Sequence, residues 1–505
     1  MSALDLSIIV VYLLGTLWLG FKLSRGQTTV QDYFTSGRKA PWWLLMASIV
    51  ATETSTVTIV SVPGFAFGNN LTFLQLVLGY LLGRALIVWL LLPSYFRGDY
   101  FTAYQVLAER FGGGVSRLAS MIFLATRNLA DGFRLFATGL VLSAALLTLP
   151  ATTSIATTFF PGVSGETTVL FASLCALSLT VILYTSLGGM SAVLWTDLLQ
   201  LSVYLLGAGL AAIVLYNLIP GGWSEIAATA GVTGRFQVFD FSWDLTRSYT
   251  FWAGVIGGSC LTISTHGTDQ LIVQRYLCSQ TQQGAARALL LSGLVVLGQF
   301  LLFLIIGVML YVYYTGYAPD VISTLAGGGS VPTDRIFPTF IVTQLPNGFR
   351  GLLVAAILAA AMSTLSSSLN ASAAATLGDF YMPATRKLHT ARHYLALARR
   401  STILWGLVQL FVACVAISFS QQVINEVLSI SSFSSGLILG IFSLGLLGYT
   451  RRFTAYAAIS VGALTMLNLR LLTGVSWQWY ALVGTIATLL AGILADRLAE
   501  RRFNG

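Results

Sequence analysis

Ala360, Ser363 and Thr364 stand at i, i+3 and i+4 within AAAMSTLSSSLN (359–370), so on a helix one carbonyl and two hydroxyls share a face. Such oxygens suit a hard cation such as sodium. The same residues would equally make a small-residue packing face, because Ser, Thr and Ala let membrane helices approach closely. Spacing alone leaves the two readings level. Asp197 lies inside an apolar run, where a carboxylate costs about 3 kcal/mol unless it is paired or functional. A salt bridge or a helix cap is the structural alternative for it. Arg127, Asp131 and Arg134 fall at i, i+4 and i+7. They could present a guanidinium to a solute carboxylate or form an internal ion-pair ladder. Arg84 poses the same choice, and Glu53 could hold a solute ammonium or hydroxyl or pair with one of these arginines. His266 reads as a hydrogen-bonded core residue, since no second His or Cys stands at ligand spacing.

These residues are carried by a strongly apolar chain. With 56% hydrophobic and 9% charged residues and a mean hydropathy of +0.80, the composition is that of an all-α polytopic membrane protein. The net charge of +9 comes from short basic clusters between apolar runs, as expected of loops that set membrane orientation. A nucleic-acid partner is not expected. No Walker A loop occurs, so no nucleotide is expected to drive the protein. HExxH and GxSxG are absent, and the Gly378–Asp379 pair lacks the rest of a GxGD pattern, so no enzyme is expected. Cys175, Cys260, Cys278 and Cys414 lack metal spacing and read as small core residues.

About thirteen apolar runs are long enough to cross a bilayer, at approximately 4–23, 42–66, 71–96, 115–149, 167–187, 191–216, 251–275, 286–314, 348–380, 399–420, 425–448, 453–471 and 476–496. Asp5 precedes the first run while Lys22 and Arg25 follow it, which marks a retained helix with its N-terminus outside. Alternate loops carry the basic residues, among them Arg38 and Lys39, Arg97 and Arg110, Arg275 and Arg287, Arg399 and Arg400, and Arg451 and Arg452. An odd number of crossings then leaves the C-terminus inside.

Two runs are poor continuous helices. Ala51–Asn70 contains Glu53, four threonines, Pro63 and Gly64, and Gly257–Gln270 is rich in Gly, Ser and Thr and carries His266 and Asp269. Each opens a set of five runs. Matched discontinuous helices point to an inverted-repeat transporter with its site at the breaks, and unwound backbone at membrane depth needs protein or a cavity to satisfy it.

Four segments carry a family resemblance: AAAMSTLSSSLN (359–370), GTDQLIVQRYL (267–277), YTSLGGMSAVLWTDLLQ (184–200) and SSFSSGLILGIFSLGLL (431–447). Together they cover both sets of five runs. The chain resembles the sodium:solute symporters, the family of the sodium-glucose, proline, sialic acid, iodide and multivitamin carriers. The resemblance implies a LeuT-type 5+5 inverted repeat working by alternating access. Its parts would be an accessory helix and inside loop (1–40), a first repeat (41–217), an outside loop (218–250), a second repeat (251–448) and two C-terminal helices with a short tail (449–505). It implies a multi-pass protein of the plasma membrane, here of bacterial inner-membrane type.

By that similarity one or two sodium ions are coupled to the solute. A first ion would take the carbonyls of Ala51, Thr54 and Ala360 and the hydroxyls of Ser363 and Thr364. A second would use Asp197 with Ser363, Ser366 and Ser367. One sodium entering down about 100 mV gains roughly 2.3 kcal/mol and a tenfold gradient adds about 1.4 kcal/mol, enough for roughly 500-fold accumulation of a neutral solute.

The solute neighbourhood implied by the family is Glu53, Ser55 and Thr56; Gln75; Asp131 and Arg134; Thr262, Thr265 and His266; and Ser429, Ser431 and Ser432. Thr262, Thr265 and Val427 stand where sugar carriers place gate residues, which argues against a sugar, and the TETST string departs from the proline carriers. A small organic anion is favoured. A proton-coupled carrier of the same fold and a transporter-like sensor are the alternatives.

Overall fold

The computed structural model describes residues 1–24, 27–148, 152, 164–326, 331–385, 389–418 and 421–503, and for Val57, 421–433 and 501–503 it describes the backbone alone. Among the described residues the regular elements are helices, with no strand. Those that matter here are α1 (Ala3–Leu23), α2 (Trp42–Glu53), α3 (Thr56–Gly68), α4 (Leu74–Leu90), α5 (Gly113–Leu147), α6 (Gly165–Asn217) and α7 (Gly258–Gly267). They continue with α8 (Gln270–Leu277), α9 (Gln282–Gly316), α10 (Phe349–Ala375), α11 (Ala391–Ala416), α12 (Gln421–Leu446), α13 (Arg452–Leu472) and α14 (Tyr480–Phe503). Eight helices among the described residues are long and apolar enough to cross a membrane, and α2 with α3, bent by 62°, makes a ninth. The other expected crossings fall on α4, on the α7–α8 pair, on α12 and on the second half of α6.

α6 has 53 residues and would be about 80 Å long if straight, far more than a hydrocarbon core of about 30 Å. It turns at Gly189, where φ is 55° and ψ is −150°. This left-handed backbone suits glycine, and an added Cβ would lie 2.6 Å from the Tyr33 carbonyl oxygen. The Tyr33 hydroxyl meanwhile donates towards the carbonyls of Thr185 and Ser186 at 3.2 Å each. The turn therefore falls between the expected runs 167–187 and 191–216.

The first broken helix stops earlier than Pro63 and Gly64 suggested. Thr54 is extended (φ −82°, ψ 114°), and its amide makes the last helical bond, to the Val50 carbonyl at 3.1 Å. Ser55 and Thr58 then cap α3 reciprocally, and Pro63 lies within that helix. Gly64 marks a close approach instead, since a Cβ there would come within 2.6 Å of the Thr333 carbonyl oxygen. The second break lies at Thr268–Asp269, where Asp269 accepts from the Leu271 amide at 2.8 Å and caps α8.

α10 runs through the centre: 94% of its most apolar stretch is buried, against 28% for α1, α13 and α14, which lie at the periphery. Of the cysteines only Cys278 is fully buried; Cys175, Cys260 and Cys414 are half-buried, so the core reading holds for one of four.

Candidate ion and solute sites

The break after α2 frees backbone oxygens and α10 brings hydroxyls to them. In an uninterrupted helix the Ser55 amide would bond the Ala51 carbonyl and the Thr58 amide the Thr54 carbonyl. Here the Ser55 amide turns to the Thr58 hydroxyl and the Thr58 amide to the Ser55 hydroxyl, each at 3.4 Å. The carbonyls of Ala51 and Thr54 are thereby released from the helix ladder. Thr364 on α10 reaches this region, its hydroxyl lying 3.3 Å from the Thr52 carbonyl and 3.4 Å from that of Ala360. Ala51, Thr54, Ala360, Ser363 and Thr364 are all buried. These released carbonyls and hydroxyls are the donor set a hard monovalent cation requires.

Asp197, fully buried on α6, sits beside that set. Its Oδ1 accepts from the Ser363 hydroxyl at 2.6 Å. Its Oδ2 accepts from Ser48 and, at 3.0 Å, from Nη2 of Arg275, itself fully buried on α8. Arg275 also donates to Ser48 (2.8 Å), Thr52, Ser367 (2.5 Å) and the Leu271 carbonyl (2.5 Å), so one guanidinium joins α2, α6, α8 and α10. Ser366 and Ser367 donate to the Ser363 carbonyl at 3.1 and 2.7 Å. The structure thus brings together all four residues expected around a second ion, with Arg275 among them.

Next to these candidate ion ligands lies a cavity of about 230 Å³. Glu53, Ser55, Thr262, Thr265, His266 and Arg134 line it as expected, together with Thr52, Thr364, Tyr80, Arg127 and Asp269. Asp131 is fully buried behind it and pairs with both arginines, Arg134 Nη1 meeting its Oδ1 and Arg127 Nε standing 3.1 Å from its Oδ2. The ion-pair ladder read from the sequence is therefore real, yet both of its arginines also face the cavity. One carboxylate between two guanidinium groups leaves donors to spare on that wall, while Asp269, which lines the same cavity, offsets the second positive charge. On another wall, Glu53 Oε2 meets Arg84 and lies 3.4 Å from Nε2 of His266, while Oε1 makes no hydrogen bond among the described residues. His266 Nδ1 also lies 3.0 Å from the Thr265 hydroxyl, in keeping with a hydrogen-bonded role.

A second cavity of about 210 Å³ shares Arg127, Arg134, Thr265 and Asp269 with the first, and a third of about 430 Å³ shares Glu53 and Tyr80. The third in turn shares Phe65, Asn69 and Tyr249 with a fourth cavity of about 560 Å³ bordered by Arg235, Asp240 and Arg247. The Ser242 backbone amide holds the Asp240 carboxyl below the usual carboxylate range, against the opposing effect of burial and with help from Arg247.

Two expected solute residues are placed elsewhere. Gln75 ties down the loop 217–250, donating to the Tyr249 carbonyl at 2.9 Å and accepting from the Asp240 amide at 3.0 Å. Thr56 faces Thr138 and the Ile357 carbonyl, both at 3.5 Å. Ser429, Ser431 and Ser432 lie outside the described side chains. Sequence reasoning did not single out Ser48, Thr52 or Tyr80, and it counted Arg275 with Arg287 among the inside-loop basic residues that set orientation; the structure instead buries Arg275 fully and pairs it with Asp197, because a guanidinium on α8 needs a carboxylate partner once water is excluded. The signal for Arg275 was available, since a charged residue within GTDQLIVQRYL needs a buried partner once that segment is placed in a membrane.

The model of the family described as "Sodium:solute symporter family" matches residues 33–465. The human sodium/iodide cotransporter is 30% identical over 442 residues, 85% of this chain and 63% of that protein, so the match spans under two thirds of its length. The sodium/sialic acid symporter SiaT of Proteus mirabilis (strain HI4320) is 28% identical over 503 residues, 98% of this chain and 95% of that one. A solved structure of a Na+-coupled sialic acid symporter, substrate-bound and outward-open, superposes with a TM-score of 0.82 at 26% identity, covering 98% of both chains. A nucleobase-cation-symport-1 family transporter in a closed conformation shares the fold at a TM-score of 0.55 and 15% identity. The chain belongs to the sodium:solute symporter family, whose members are integral multi-pass membrane transporters coupled to sodium, and not enzymes.

Proposed function

We propose that the protein imports a small organic anion together with one or two sodium ions by alternating access. The observation that carries this reading is the double position of Thr364: its hydroxyl meets the Thr52 carbonyl at the break of α2, and its side chain lines the 230 Å³ cavity. An ion held by Ala51, Thr54, Ala360, Ser363 and Thr364 would fix the backbone that forms the cavity wall, so ion and solute would stabilise the same arrangement. The preference for an anion rests on Arg127 and Arg134, which share the single carboxylate of Asp131. A solute carboxylate can take up guanidinium donors there bidentately. The sodium/sialic acid relatives carry a carboxylated solute, which agrees with this choice.

The reading extends to thirteen crossings with the N-terminus outside and the C-terminus inside, in a bacterial inner membrane. Residues 41–217 and 251–448 would be the two inverted five-helix repeats, with 1–40, 218–250 and 449–505 outside them. Asp197 with Ser363, Ser366 and Ser367 would hold the second ion.

Uptake of a panel of labelled carboxylates, amino acids, vitamins and sugars into proteoliposomes tests it. An inward sodium gradient is expected to drive accumulation of a carboxylate, and replacing sodium by choline at fixed pH is expected to abolish it. Accumulation that follows a proton gradient and ignores sodium would overturn the coupling in favour of the proton-driven alternative.

A further inference from the structure

We propose that Phe239, Phe241, Trp243 and Leu245 form a lipid-facing comb that seats the loop 217–250 in the membrane–water interface and so anchors the rim of the 560 Å³ cavity. Between Phe239 and Leu245 there is no helix, and exposure alternates strictly, the odd-numbered positions exposed and the even-numbered ones half-buried. That is the period of an extended chain, whose side chains point to opposite sides in turn. The odd positions are all large and apolar: Phe239 is 47% exposed, Phe241 62%, Trp243 67% and Leu245 43%. Asp240, Ser242 and Asp244 stand between them. Arg247 holds this polar edge, standing 3.1 Å from the Asp240 carboxylate and donating to the Ser242 hydroxyl at 3.1 Å, and Asp240 and Arg247 both border the cavity. One short segment thus has a wet edge at the cavity and an apolar edge on its opposite side.

Large apolar side chains exposed together call for a partner, and the surroundings of the comb identify it. The Phe251 amide donates to the Asp240 carbonyl at 2.7 Å and the Trp252 indole to the Phe241 carbonyl at 3.3 Å. Phe241 packs on Phe251 with ring centres 5.0 Å apart, and Trp243 on Trp252 at 5.3 Å. Phe251 opens the apolar run 251–275. At the other end the Ser476 amide donates to the Leu245 carbonyl at 2.9 Å, directly before the membrane-length helix that starts at Trp477. The comb is therefore flanked by the ends of two apolar segments, at the level where they leave the hydrocarbon. Aromatic side chains concentrate at that level because their rings enter the acyl boundary while polar neighbours stay in water. The comb itself is uncharged, so a zwitterionic phosphatidylcholine layer suits it. Seating it also fixes the rim, since Gln75 on α4 accepts from the Asp240 amide and donates to the Tyr249 carbonyl.

The test reads the two edges separately, in phosphatidylcholine nanodiscs that hold one full chain each. The four native cysteines are replaced by alanine, and Phe241→Cys, Trp243→Cys, Ser242→Cys and Asp244→Cys each carry an environment-sensitive fluorophore. A nitroxide on the lipid acyl chain near the headgroup is expected to quench positions 241 and 243 about threefold more than 242 and 244, and aqueous iodide to do the reverse. Equal quenching at both edges, or iodide acting most strongly at 241 and 243, would overturn the proposal. Protection of 241 and 243 from both quenchers only in discs that hold two chains would overturn it in favour of a second copy as the occupant. A measurement without cysteines guards against variants that fail to fold: the tryptophan emission of wild type minus that of Trp243→Phe isolates Trp243, and brominated phosphatidylcholine is expected to remove about half of it or more. No loss would overturn the proposal. Hydrogen exchange in the same discs reads the anchoring. The double variant Phe241→Ser with Trp243→Ser is expected to speed exchange of the Asp240 and Phe251 amides about tenfold, and unchanged exchange would overturn the comb's hold on the rim.

Discussion

Two buried arginines, Arg84 and Arg275, each face one carboxylate inside the membrane, but their surroundings differ. Arg275 and Asp197 are both fully buried, and the guanidinium is surrounded by hydroxyls and a carbonyl from α2, α8 and α10. Arg84 is as deeply buried, yet its partner Glu53 keeps 13% of its side chain exposed to two cavities. Its other contacts are long, at 3.3 Å to Ser292, 3.3 Å to the Tyr80 carbonyl and 3.4 Å to His266. The first pair is a closed structural node and the second an open one. The same charge chemistry thus locks helices where water is excluded and lines cavities where water can enter.

The largest effect that would break this contrast is on stability. Arg275→Leu leaves Asp197 charged and unpaired in a closed interior, and is expected to cost about 3–5 kcal/mol. Thermal unfolding in detergent reads this, and the double variant Arg275→Leu with Asp197→Asn should recover much of the loss. Glu53→Gln should cost less, about 1–3 kcal/mol, because water in the cavities can reach the site, while its effect on solute uptake should exceed that of its stability loss. Equal stability losses for the two changes would show that the nodes do not differ as described. The smallest effect is expected at the neighbouring hydroxyls. Ser363→Ala and Thr364→Ala should each raise the sodium concentration for half-maximal uptake about tenfold, equivalent to about 1.4 kcal/mol, with little change in unfolding temperature. A large fall in that temperature without a sodium shift would return the cluster to helix packing.

The polar spacing in 359–370, the two interrupted runs and the Arg127–Asp131–Arg134 ladder were legible because each is a local pattern on one helix. The resemblance carried by four segments led to the family that the comparisons show. What local pattern could not supply was the partner across space. Asp197 was weighed between an ion ligand and a salt bridge, and the structure brings both sets of partners to its two oxygens. Gln75 and Thr56 were placed by their position along the chain, but the folded loop 217–250 takes the first and α5 with α10 takes the second. The exact stop of α2 was also beyond the sequence. Pro63 is the stronger breaker by propensity, yet α2 stops at Glu53, ten residues before it, and the reciprocal cap of Ser55 and Thr58 starts a new helix that contains Pro63.

The turn at Gly189 has a bearing on the order in which the chain can mature. Its backbone is closed over by Tyr33, whose hydroxyl reaches carbonyls 152 and 153 residues further on and also Thr402 at 2.9 Å. The bend between the two halves of α6 is therefore not a self-contained unit. The segment that seats it leaves the ribosome long before it, and the hydroxyl that completes the seat follows some 200 residues after. Contacts of such high sequence separation form late, which makes this small junction a register of whether both halves of the molecule have come together.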